Sequence, residues 1–348
     1  MPGKAAIIAN PMSGRDVRRL AARATTMTHE VKRDLVARIA LGLDAMGVDE
    51  IMILKEPYRV SSGALELLPL RARVRLLDVG VTNSAADTEA AVRAARDAGC
   101  DVIVSLGGDG TNRIIARTWP EVPLVPLSTG TNNVFPVMVE ATSAGVAAGL
   151  IANGSVRASE AGARCKLVHV HTARWHDIGV IDAVLLLRDH TGNLLPYDPE
   201  RIAALVLTRA EPAAVGMSPI GGYLDPVGFA DDCGLALRCG AGRSVYAPIS
   251  PGLFRAVQIA SCERLELGRE FLFEGPGVVA FDGDRVHELG LAEIARVSVQ
   301  RDGPLVVDVP RCIRLAAERG IFEGALPQAL APTPMATPTT PRAVLGLR

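Results

Sequence analysis

An apolar, β-branched run, Val102-Ile103-Val104-Ser105-Leu106, stops abruptly on Gly107-Gly108-Asp109, and Gly110-Thr111-Asn112 then leads into Arg113-Ile114-Ile115-Ala116. Such a run reads as a buried parallel strand, and the residues after it as the start of a helix. The glycines let the backbone turn sharply and approach a ligand closely. The helix start supplies unpaired N–H groups and a partial positive charge, which favour a phosphate. Asp109 is the one anionic side chain in this anion-seeking loop. Phosphate repels it unless it holds a metal or takes a proton from an attacking hydroxyl. On spacing alone, the same residues equally describe an ordinary strand–turn–helix corner with Asp109 capping the helix.

The preceding segments repeat this grammar. Lys4 to Ala9 is a short strand, followed by a turn at Asn10-Pro11-Met12-Ser13-Gly14 and a polar segment carrying Arg15, Arg18 and Arg19. Glu30 to Met46 is amphipathic, with Val31, Leu35, Ile39 and Leu43 as its apolar stripe and Gly47 as its stop. Strands follow at Ile51 to Leu54 and Leu76 to Val79, and then a helix from a Ser84/Asp87 capping box to Ala98. Val122 to Leu127 is a further strand, placed near an edge or kept short by Pro123 and Pro126. Ser128-Thr129-Gly130-Thr131-Asn132-Asn133 offers hydroxyls and amides suited to ribose or an adenine edge, ahead of a helix from about Val137 to Ile151. Alternating strands and helices predict a parallel sheet with helices on both faces, and ligands in such sheets sit beyond the carboxyl ends of the strands. The polar turns after the first, fourth and fifth strands all fall there.

Beyond Asn153-Gly154 the pattern becomes short apolar runs at 166–170, 178–187, 203–207, 235–238, 256–260 and 278–281, separated by turn residues. This predicts an antiparallel, sandwich-like all-β domain, with the active cleft between the two domains. The expected organisation is an α/β nucleotide-binding domain over 1–155, a β-rich substrate domain over 156–311, and a Pro/Thr-rich flexible tail over 325–348. Cys312 to Gly320 reads as a short helix.

A net charge of −1 gives no electrostatic case for nucleic acid. No apolar run approaches the roughly 20 residues of a membrane-spanning helix, and the first residues lack a signal-peptide layout. Six scattered cysteines with no C-x-x-C pair suit free thiols in a cytoplasmic protein. His169 and His171 share one strand face, near His176 and Asp177. With no second ligand cluster, they read as structural or surface histidines, and no metal is assigned to protein ligands. No G-x-G-x-x-G follows the first strand, which argues against a dehydrogenase.

Gly-Gly-Asp-Gly-Thr at 107–111 resembles the signature of the NAD kinase and diacylglycerol kinase superfamily. Asn10-Pro11-Met12-Ser13-Gly14 resembles the Asn-Pro-x-Ser-Gly turn of the diacylglycerol kinase branch. Ser128 to Asn133 resembles the Gly-Thr-x-Asn loop, and Phe281-Asp282-Gly283-Asp284 the late Asp-Gly-Glu turn. Four motifs in order cover most of the chain, and the wording of Pro126 to Glu140 resembles the NAD-kinase-like branch linked to bacterial acetoin catabolism. The resemblance implies an ATP- and Mg²⁺-dependent kinase acting on a small, NAD-like molecule, a homo-oligomer, and a return to the first domain over 312–324. It implies Asp109 and Asp284 as catalytic carboxylates, the latter one methylene shorter than the family's Glu. It implies nucleotide binding by Asn10, Ser13, Gly14, Gly107, Gly108, Gly110, Thr111, Asn112, Thr129, Gly130, Thr131, Asn132 and Asn133. Gly216 to Gly222 resembles the Thr-Pro-x-Gly-Ser substrate loop, with Ser218 and Gly221 as its contacts. True NAD kinases carry an Asn-Glu pair where Asp182-Ala183 stands here, so the acceptor can differ from NAD. A lipid kinase and a non-catalytic nucleotide sensor are the alternatives.

Overall fold

The structure, a computed structural model, describes residues 3–13, 27–129 and 133–323. Gly14, the arginines at 15, 18 and 19, Gly130, Thr131, Asn132 and the tail from 325 lie outside the described residues.

The first domain is wound around strands β1 (Lys4–Ala9), β2 (Glu50–Leu54), β3 (Arg73–Leu77), β4 (Val102–Gly107) and β5 (Pro123–Ser128). Helices α1 (His29–Ala45), α2 (Val60–Leu65), α3 (Ala85–Asp97), α4 (Asp109–Thr118) and α5 (Ala141–Ala152) alternate with them. The short α6 (Ala158–Ala161) and β6 (Gly162–Arg164) complete this half. The sheet runs β3-β2-β1-β4-β5, all parallel, and strand order reverses between β1 and β4. Such a reversal splays the connections to opposite faces and opens a crevice at the strands' carboxyl ends. One face packs on α1 and α5, the other on α3 and α4.

The second domain stacks two antiparallel sheets. β7 (Leu167–His171), β8 (His176–Gly179), β13 (Phe271–Glu274) and β16 (Ile294–Gln300) form one. β9 (Asp182–Leu186), β10 (Ile202–Leu207), β11 (Cys233–Ser250), β12 (Leu253–Glu266), β14 (Gly277–Phe281) and β15 (Asp284–Leu289) form the other. Alternate residues of each, such as Val168, Val170, Leu185, Val206, Phe273 and Val297, meet between them. The short α7 (Ser218–Gly222) covers the outer face of the larger sheet through Ile220. Both expected layers are therefore present. All six cysteines are free, and no helix among the described residues is long and apolar enough to cross a membrane.

Several boundaries differ from the sequence reading. β17 (Leu305–Val307) joins the first sheet parallel to β5, β6 pairs with β17 antiparallel, and α8 (Val309–Glu318) follows. The return thus begins before Cys312, and α6 and β6, expected in the second domain, sit with the first sheet. Three-residue strands carry too little pattern to be read from sequence. β5 is an interior strand, not an edge: Val137 N–H donates to the Pro126 carbonyl and Ser128 N–H to Val137, so Pro126 faces a partner that needs only its oxygen. That detour delays α5 to Ala141. The apolar stripe of α1 is also rotated. Val31 is exposed and Lys32 is fully buried, together with Val36, Ile39, Ala40 and Leu43. At α3, Ser84 caps the Ala86 N–H, while Asp87 accepts from the N–H groups of Thr82 and Asn83.

Candidate active site

The crevice between the two domains has a volume of about 810 Å³, and its lining includes Asn10, Ser13, Gly108, Asp109, Gly110, Thr111, Thr129, Asn133, Asp182, Ser218, Asp282 and Asp284. The turns after β1, β4 and β5 meet here. The Asn10 amide donates to Thr111 Oγ1 at 2.9 Å, and Thr129 Oγ1 donates to Ser13 Oγ at 3.0 Å. Beneath the first turn lies Lys32, whose Nζ donates to the carbonyls of Asn10, Pro11 and Ser13 at 2.9, 2.7 and 2.6 Å. This buried ammonium gathers three carbonyls on one side of the turn.

Asp109 is the first residue of α4, and glycine stands at the cap position before it. Its carboxylate does not cap its own helix. It accepts instead from Val134 N–H at 3.1 Å and Phe135 N–H at 2.9 Å, on the strand-to-helix connection after β5. Arg209 steadies that connection, donating to the Val134 carbonyl at 3.1 Å with its guanidinium 5.6 Å from the Phe135 ring centre. Burial first, and then the charge of Asp282, push the Asp109 carboxyl up to about 7, against the Phe135 and Val134 N–H groups and Arg209.

Two further acids share this environment. Asp282 sits at the tip of the β14–β15 hairpin with φ +49°, followed by Gly283 at φ +96°. This left-handed pair, which Asp and Gly tolerate, turns the Asp282 carboxylate back onto the N–H groups of Val180, Ile181 and Asp182 at 2.8, 2.8 and 3.1 Å. Asp182 is buried at the start of β9, and its Oδ1 accepts the Asp282 N–H at 3.2 Å. Burial raises both carboxyls. The charges of Asp282 and Asp109 raise Asp182 further, while Arg113 and the three N–H groups hold Asp282 back. Like charges crowded at low dielectric shift one another in this way.

Asp284 lies across the loop from Gly110, where a Cβ would come within 3.3 Å of its Oδ2. Gly108 faces the Asn133 side-chain oxygen, 2.7 Å from where a Cβ would stand. Four expected contacts act from behind the surface or spend their polar atoms within the fold. Gly107 lies under Thr111, leaving no room for a Cβ. Asn112 is fully buried; it accepts from Ser105 Oγ at 2.7 Å and donates to the Gly108 carbonyl at 2.9 Å, so it shapes the loop rather than touching a ligand. Ser218 lines the crevice, but its hydroxyl donates to the Arg209 carbonyl at 2.8 Å and accepts the Glu211 N–H at 2.9 Å. Gly221 packs against Leu207, Leu235 and Ala210, away from the crevice.

Sequence reasoning missed Arg113. It is 3% exposed, donates to the Ile178 carbonyl and to Asp177 Oδ2 at 2.8 Å each, and holds its guanidinium 4.9 Å from the Phe281 ring centre. Asp182 was noted as a departure from a motif and not as a member of the site. Both sit in apolar runs, where an isolated charge signals either a partner or a site.

A family profile described as the ATP-NAD kinase N-terminal domain matches residues 6–156, and one described as the acetoin catabolism protein X C-terminal domain matches residues 166–302. The gap between them holds α6 and β6. Acetoin catabolism protein X of Cupriavidus necator strain H16 is 35% identical over 342 residues, spanning 92% of this chain and 94% of that protein. Among solved structures, a candidate diacylglycerol kinase from Bacillus anthracis strain Sterne aligns over 88% of this chain and 96% of its own, at 12% identity and a TM-score of 0.40.

Proposed function

The chain belongs to the acetoin catabolism protein X family, and from that premise we propose an ATP-dependent, NAD-kinase-like phosphotransferase acting on a hydroxyl of NAD or a related small molecule. The observation that carries the proposal is the Asp109 carboxyl, open to the crevice at the mouth of a phosphate-type loop and raised to about 7. A base of that strength is matched to neutral pH.

In this reading the backbone N–H groups at the start of α4 and the Asn10–Ser13 turn receive the donor phosphates, and Thr111 and Thr129 present hydroxyls beside them. Asp109 takes the proton of the acceptor hydroxyl as its oxygen bonds to the γ-phosphorus. The bond to the bridging oxygen breaks, and ADP leaves with that electron pair. Asp182 and Asp282 are hard oxygen donors whose mutual repulsion a divalent cation would relieve, so this donor pair fits Mg²⁺. When bound, Mg²⁺ supplies charge neutralisation on the phosphates. Asp284 stands at the same rim as a second carboxylate for positioning the acceptor. The proposal includes a cytoplasmic location and a homo-oligomeric assembly, the latter checked by sedimentation.

Asp182-Ala183, where true NAD kinases carry Asn-Glu, favours an acceptor that differs from NAD. The test is incubation of the purified protein with ATP, Mg²⁺ and a panel of NAD, NADH and diacylglycerol, reading phosphorylated product by mass. Product on a soluble nucleotide supports the proposal, and product on diacylglycerol alone shifts it to a lipid kinase. Nucleotide binding without any product makes the protein a sensor. Asp109→Asn run alongside is expected to lose at least ~100-fold in turnover.

A further inference from the structure

Away from the crevice, the second domain gathers three of the chain's six histidines. The β7–β8 register sets His171 directly opposite His176, with His169 opposite Ile178 one step along. Alternation then puts all three imidazoles on the sheet's outer face, with Val168 and Val170 in the core beneath. One ring nitrogen from each lies within 4.8 Å of the others.

We propose that His169, His171 and His176 bind a divalent transition-metal ion of the zinc class, with Asp302 orienting His169. The Nε2 of His169 lies 3.1 Å from Asp302 Oδ1, on the connection between β16 and β17, and its Nδ1 lies 3.2 Å from His176 Nε2. A carboxylate on one ring nitrogen fixes the proton there and presents the other as a lone pair, which is how ligating histidines are held. Zinc–nitrogen bonds of about 2.0–2.1 Å set two tetrahedral ligands roughly 3.3–3.4 Å apart, close to the 3.2 Å between His169 Nδ1 and His176 Nε2. His169 is buried and anchored, whereas His171 and His176 are exposed and able to turn. Their rings stack within 5°, with centres 4.0 Å apart, and rotate towards a shared point on binding.

Two carboxylates lie near the cluster, Asp302 against His169 and Glu270, whose charge acts on His171. Arg296, opposite His171 on β16, has its guanidinium 3.8 Å from Glu270. Three imidazoles without a thiolate select zinc, nickel, cobalt or copper over magnesium and leave a coordination position for solvent. The ion would pin the β7–β8 hairpin to the connection that returns the chain to the first domain.

The test uses the full-length protein stripped with chelator, titrated calorimetrically with Zn²⁺ in excess Mg²⁺, which saturates the crevice carboxylates. About one Zn²⁺ per chain is expected. Asp302→Asn should weaken binding roughly 10–100-fold, the usual cost of losing such a supporting partner, and His171→Ala/His176→Ala by more than that. Co²⁺ in place of Zn²⁺ should give a visible ligand-field band that the double variant lacks. Both substituted histidines are exposed, so the double variant is expected to melt normally without metal. Equal Zn²⁺ affinity in wild type and the double variant, or no stoichiometric binding by the wild type, overturns the proposal.

Discussion

Arg113 of α4 and Asp177 of β8 form an ion pair 2.8 Å long with each side chain only 4% exposed, and it ties the helix that begins with Asp109 to the second domain. His287 Nε2 lies 2.9 Å from the same carboxylate oxygen. Burial raises the Asp177 carboxyl, but Arg113, His287 and the Ile178 N–H outweigh it and hold it below its ordinary value. Removing Asp177 strands the Arg113 guanidinium, at a cost of about 3–5 kcal/mol, whereas removing Arg113 leaves Asp177 its pairs with Arg117 at 3.6 Å and His287. Asp177→Leu should lower the urea midpoint sharply and Arg113→Met less so, and the double variant should recover part of the loss. Strict additivity in that cycle would show the pair to be uncoupled.

The crowding of Asp109 and Asp282 has a kinetic counterpart. As the base, Asp109 must be deprotonated, so kcat/KM should rise through about pH 7 and level off above it. After burial, the Asp282 charge is the largest contribution raising Asp109, and Asp182 and Arg209 face the same group. Asp282→Asn removes that charge, so the acidic limb should move to lower pH whatever happens to the plateau. A pH profile fixed in place would dissociate the limb from Asp109.

Packing on the far face of the first sheet is more sensitive than its composition suggests. A Cβ on Gly145 of α5 would overlap the Ile39 carbonyl of α1, and one on Gly42 of α1 would stand 2.5 Å from the Thr142 carbonyl. Both obstacles are backbone and cannot swing aside. Gly145→Ala is therefore expected to cost at least about 1–3 kcal/mol in denaturant unfolding, even though alanine is the better helix former. Neither glycine lines the crevice, so nucleotide affinity of the folded variant should change little.

The strand ends were legible because glycine, asparagine and serine break apolar runs wherever the backbone must turn, and the three turns of the first domain follow that rule at Asn10, Gly107 and Ser128. The layered second domain was legible from short runs spaced by turns. What stayed hidden depends on contacts distant in sequence. Lys32 was indistinguishable from a solvated helix residue until the Asn10–Ser13 carbonyls were placed above it. Asp182 and Arg113 lie in segments whose apolar neighbours dominate the pattern. His169 lacked a carboxylate partner because Asp302 stands 133 residues further along. Asn112, directly after the signature, proved to brace the loop through Ser105 and the Gly108 carbonyl.

Asp109 should also be a liability to the fold. Its folded carboxyl holds its proton up to about pH 7, against an ordinary value of 3.8. Between those limits the folded state binds more protons than the unfolded one, so its contribution is fully present below about pH 4 and is lost as pH rises through 7, by at most about 1.4 kcal/mol per pH unit. Asp109→Asn cannot ionise and keeps an oxygen for the Val134 and Phe135 N–H groups. It should match the wild type in urea midpoint near pH 4, exceed it progressively up to pH 7, and hold a constant margin above. The same variant should be nearly inactive, so stability gained and turnover lost would map to one carboxylate. A margin that does not vary with pH would mean that Asp109 titrates near its ordinary value, leaving it too weak a base at neutral pH for the role assigned to it.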